Sequence, residues 1–144
     1  VVVYKAGVTC PGKYYFIIYG DNEDVKSAFQ EVTGEAKFEI ISGVSNKVIE
    51  ILEKRNKKEL GSSIGIIEFF TISESVKALD MILKGNTVET LKLILGSGIA
   101  GKSYFVITGD TSSVTEAVNS IDKKIRYREK SLINNPDKNI IKFI

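Results

Sequence analysis

Histidine and tryptophan are absent from the 144 residues, and cysteine and methionine each occur once. Without histidine the chain has no Ser-His or Cys-His nucleophile pair and no histidine metal site. One cysteine leaves no internal disulfide framework and suits a reducing compartment, so a cytoplasmic location is expected. Apolar runs are short, and none approaches the length of a membrane span. Charge of one sign is also scarce. The formal net charge is +2, and the lysines are scattered apart from "EKRNKKE" at 53–59. That run reads as the solvated end of a helix followed by a linker. Neither a membrane nor a nucleic acid is expected as a partner.

What remains is an ordinary globular composition, 43% hydrophobic and 26% charged. Its length fits one medium domain or two small modules. Within it, "GSGIAGKSYFVITGD" (96–110) contains Gly96, Gly101, Lys102 and Ser103 at the spacing of a phosphate loop. That loop works when its glycines lead into a helix whose first N–H groups surround the phosphates. Here the sequence runs on into "SYFVIT", which reads as a strand.

The stretch also occurs twice. "GVTCPGKYYFIIYGD" (7–21) aligns with it without gaps, at a constant spacing of 89 (96 minus 7). The register continues into the next segment, with Val25, Ala28 and Val32 falling on Val114, Ala117 and Ile121. The first copy has Tyr14 where a phosphate loop needs Ser or Thr, so nucleotide binding is not what the copies share. An internal duplication is.

Each copy can be read as a module. In the second, "SIGIIEFF" (63–70) is a buried strand, and Thr71 with Glu74 forms a capping box for a helix to about Lys84. "NTVETLKLIL" and "KSYFVIT" are strands, Asp110 caps a second helix, and a last strand lies near 126–133. The order is βαββαβ, an α+β fold. The first copy supplies two strands, a helix, a strand at "KFEIISGV" (37–44) and a helix over 46–57. Two tandem modules are therefore expected, 1–60 and 61–144. The first lacks counterparts of 64–89, which reads as a shortened form of a longer chain, since soluble proteins avoid open sheet edges and bare apolar faces.

With "IGIIE", "ALDMILKGN", "GSGIAGKSYFVITGD" and "SSVTEAV" in order, the chain resembles the tandem-domain bacterial microcompartment shell proteins. "VTCPGK" (8–13) makes it similar to the propanediol-utilisation members that carry an iron–sulfur cluster. The tail "NNPDKN" departs from the family pattern. The resemblance implies a building tile, not an enzyme. It implies a homotrimer of pseudohexameric shape, located in the microcompartment shell beside other shell proteins and encapsulated redox enzymes. It places a loop of each module at the central axis, with Thr9, Cys10, Pro11 and Gly12 alternating with Gly98, Ile99, Ala100 and Gly101. Lys84 would sit at the tile edge, and Cys10 of three chains would hold one 4Fe-4S cluster per trimer, a route for electrons across the shell.

The residues themselves leave alternatives open. A cysteine before Pro-Gly belongs on a loop tip. A free cysteine there is also an ordinary small apolar filler, and one thiolate cannot hold a cluster that needs three or four ligands. A plain metabolite pore without a cluster, and a trimeric signalling protein that binds a metabolite between subunits, both remain compatible.

Overall fold

A computed structural model of the chain describes residues 1–9, 12–32, 34, 36–96, 102–121 and 123–144. The first part consists of an antiparallel hairpin, β1 (Val2–Thr9) and β2 (Lys13–Tyr19), and two helices, α1 (Asn22–Gln30) and α2 (Asn46–Leu52). The second part runs β3 (Ser63–Phe69), α3 (Ile72–Gly85), β4 (Glu89–Leu95), β5 (Ser103–Gly109), α4 (Thr111–Ser120) and β6 (Glu129–Asn134), with a 3-10 turn at Lys138–Lys142.

The second part is the expected βαββαβ module. Its sheet has the order β4-β5-β3-β6, with every pairing antiparallel. One face carries Ile67, Phe69, Phe105 and Ile107, buried under Leu79 and Ile82 of α3 and Val114 and Ala117 of α4. The other face carries Ile64, Leu91 and Val106 beneath Leu60, Ile140 and Ile141. Helix α4 and the sheet approach closely at Gly65, where a Cβ would lie 2.7 Å from the Val118 side chain. Any larger residue there would force α4 outward.

Local chemistry sets the helix starts. Thr71 Oγ1 accepts from the Glu74 N–H at 3.3 Å, and the Glu74 carboxylate accepts from the Thr71 N–H at 3.1 Å. This reciprocal cap satisfies two of the donors that a helix start leaves bare. Asp110 caps α4 by accepting from the Ser113 N–H at 2.9 Å. The corresponding Asp21 makes no side-chain cap bond. Ser112 and Ser113 support the Asp110 carboxylate with hydroxyls at 2.7 Å, whereas Glu23 and Asp24 in the first turn of α1 have no proton to donate.

Three expectations need correction. Residues 37–44 form no strand. The β6 strand exists by pairing with β3, and neither sheet has a strand beside 37–44. Ile41 and Val44 pack on the main core instead. Helix α2 ends at Leu52, not near Lys57. Lys54 adopts the left-handed conformation (φ 57) and the Arg55 N–H closes back on the Glu50 carbonyl at 2.8 Å, the usual way a chain leaves a helix. Finally, the spacing of 89 holds from α1 to α4 but not across the loops. Phe16 and Phe105, 89 apart, are opposed by Ala6 and Leu93, which are 87 apart. The gap-free match of Gly7 to Gly96 is therefore out of structural register by two residues.

Candidate functional site

The sequence places its candidate chemistry on two hairpin connections. In the first, Thr9 opposite Lys13 is the last ladder pair, and the Gly12 N–H donates to the Thr9 carbonyl at 2.6 Å. Gly12 has φ +90, a conformation that side chains resist. Cys10 and Pro11 lie outside the described residues. In the second, Leu95 opposite Ser103 is the last pair, and the Gly96 N–H donates to the Lys102 carbonyl at 3.0 Å. Gly98, Ile99, Ala100 and Gly101 lie outside the described residues as well.

The bases of these two connections meet. Lys5 of β1 donates from Nζ to the Leu95 carbonyl at 3.1 Å. A Cβ on Gly96 (φ +76) would lie 3.0 Å from Ile72 and 3.2 Å from the Tyr15 ring. Gly96 therefore lets the aromatic ring of one hairpin rest against the root of the other. Sequence reasoning did not single out Lys5 or Tyr15 for this role. The available signal was that Lys5 is the one charge in β1, "VVYKAGVT".

The phosphate-loop pattern does not acquire its setting. β5 begins at Ser103, directly after Lys102, so no helix start presents its N–H groups there.

Lys84 closes the last turn of α3 with its side chain 49% exposed. Its ammonium pairs with Asp80 and donates to the Gly43 carbonyl at 2.7 Å. Asp80 is nearly buried and also accepts from the Ser45 N–H, at 2.8 Å, just ahead of α2. Two of the three ammonium donors are thus engaged within the chain. About half of the Lys84 side chain stays exposed.

Among the described residues no group of three or more His, Cys, Asp or Glu could hold a metal ion. The thiol donor set of the whole chain is Cys10 alone. Within a single chain these residues do not fit an iron–sulfur cluster, which needs three or four ligands. No described helix is long and apolar enough to cross a membrane.

A four-stranded antiparallel sheet with two helices on one face, its β4–β5 hairpin joined to a second hairpin at the loop roots, defines an α+β module. The BMC domain model matches residues 63–136, from the start of β3 to just past β6, and the chain belongs to that family. It is 27% identical over 114 residues to the bacterial microcompartment shell protein PduT of Citrobacter freundii, covering 76% of this chain. The chain spans 62% of the length of that relative. The fold is also similar to the crystal structure of a microcompartment protein from Desulfitobacterium hafniense DCB. There the TM-score is 0.83 at 27% identity, over 97% of this chain and 83% of the other.

Proposed function

We propose that this protein is a structural tile of a bacterial microcompartment shell, built from two tandem modules and assembling as a homotrimer. The observation that carries this reading is the meeting of the two loop roots, at Lys5 with Leu95 and Tyr15 with Gly96. It gives each chain two neighbouring loops at one end of two related hairpins. Three chains around a closed axis would present six such loops, and cyclic closure leaves no interface unmatched. Family membership and the similarity to a shell protein support the shell role. The recurrence of strand, strand and helix at 2–30 and 89–120 supports the duplication. On this reading the protein is a barrier component and not a catalyst, located in the shell beside other shell proteins.

Mass measurement in solution tests it. Trimers that grow into flat sheets or tubes at high concentration are expected. A chain that stays monomeric overturns the tile reading, and discrete trimers that never extend favour a metabolite-binding signalling protein.

Cys10 gives the reading its finer form. Three chains around an axis would supply three thiolates, the smallest set that holds a 4Fe-4S cluster. Such a group would supply one-electron chemistry at the centre of the tile. Trimer purified without oxygen is then expected to be brown, with about four irons per trimer, and Cys10→Ser to be colourless yet trimeric. A colourless wild-type trimer after reconstitution with iron and sulfide would make the centre a plain pore.

A further inference from the structure

The two hairpins repeat each other pair by pair. Lys5 lies opposite Ile17, and Lys92 lies opposite Val106. Ile17 and Val106 are 89 apart, so Lys5 and Lys92 hold the same place in their strands. A register shift precedes each lysine, between Val3 and Lys5 and between Thr90 and Lys92, the kind of bulge that re-aims a side chain. Val8 opposite Tyr14 matches Leu95 opposite Ser103 in the same way. β4 is an edge strand of the four-stranded sheet, so the corresponding outer edge of β1 belongs to the normal outline of the module. Within the chain, Lys5 Nζ donates to the Leu95 carbonyl at 3.1 Å. Lys92 is half-buried, yet among the described residues it makes no hydrogen bond or ion pair.

We infer that Lys92 of one chain donates its ammonium to the Val8 carbonyl of a second copy of this chain, repeating between chains the bond that Lys5 makes to Leu95 within one. The inference rests on the trimer proposed above and names one contact that holds it together. Lys5 joins the first hairpin to the second, and Lys92 joins the second hairpin to the first hairpin of the next chain. A head-to-tail contact of this kind closes a ring when its rotation closes. Internal and external lysine bonds then alternate around the axis. The acceptor suits the role. Leu95 stands one residue before the closing bond from the Gly96 N–H to the Lys102 carbonyl, and its own carbonyl is the one that meets Lys5. Val8 stands one residue before the closing Thr9–Lys13 pair, on a strand with a single ladder partner, and is exposed. A bond from an ammonium to such a carbonyl is charge-assisted and stronger than a neutral one.

Sedimentation of the 144-residue protein over a range of concentrations reads the contact. Lys92→Met keeps the apolar stem and removes the donor. It is expected to raise the concentration needed for trimers about tenfold or more, the weight of one charge-assisted bond. Lys92→Arg restores a donor and is expected to recover most of that loss. In the dilute monomer Lys92→Met should leave the thermal midpoint in place, whereas Lys5→Met should lower it, because that bond is internal. Proximity is read separately. On a Cys10→Ser background, Val8→Cys treated with a short thiol–amine cross-linker is expected to join Lys92 of another chain, and mixing isotope-labelled with unlabelled chains shows the link to be intermolecular. Trimers of unchanged strength in Lys92→Met, or cross-links that miss Lys92, overturn this contact and leave the tile reading standing. A chain that is monomeric at every concentration overturns both.

Discussion

Asp110 and Asp21 stand before α4 and α1, 89 residues apart, yet their residue-scale chemistry differs. The Ser112 hydroxyl, then the Ser113 backbone and hydroxyl, stabilise the Asp110 carboxylate and lower its pKa from 3.8 to about 2. A carboxyl depressed in the folded state contributes stability that is present above its unfolded pKa and is lost as pH falls through the folded one. The window here is from about pH 4 down to about pH 2. Asp110→Asn keeps a capping oxygen without a titrating group. Its thermal midpoint, followed from pH 5 to pH 2, is expected to fall less steeply than that of the parent chain. Equal slopes would mean that the cap contributes no acid sensitivity.

Elements differ in how much of them can be read locally. Helix α3 announces its start in Thr71 and Glu74, and β3 and β5 are legible as short runs rich in β-branched and aromatic residues. The segment 37–44 has the same β-branched and aromatic character yet stays irregular, because strand geometry is completed by a neighbour and not by composition. The end of α2 was hidden for another reason. A left-handed lysine is invisible in a sequence where glycine would have signalled the turn. Contacts such as Lys5 with Leu95, 90 residues apart, leave only the faint mark of a charge in an apolar strand. The clamp around Asp80 belongs to this illegible class and can be tested. Asp80→Ala strips the acceptor shared by Ser45 and Lys84. It is expected to cost about 1–3 kcal/mol and to speed hydrogen exchange in α2 more than in β3–β5. Uniform loss of protection would place Asp80 in global stability and not in the docking of α2.

At the scale of the whole molecule, Val2, Val3, Val8, Tyr14 and Phe16 of the first hairpin are exposed, while the second part buries apolar residues on both faces of its sheet and exposes Phe70, Leu132 and Phe143. The Lys84 side chain is about half exposed at the end of α3. On the tile reading, Lys84→Ala is expected to leave the proposed trimer intact while thinning or abolishing extended sheets, read by sedimentation for the first and electron microscopy for the second. Sheets of normal extent would confine Lys84 to its internal bonds. The two connections whose roots meet have a geometric consequence of their own. Between their last ladder pairs lie three residues in one, 10–12, and seven in the other, 96–102. On the trimer reading, a ring of such chains would alternate connections of three and seven residues around its mouth, so its opening would have threefold and not sixfold character. On that reading, shortening the 96–102 connection alone would enlarge the opening while leaving both ladders, which end at Thr9–Lys13 and Leu95–Ser103, untouched.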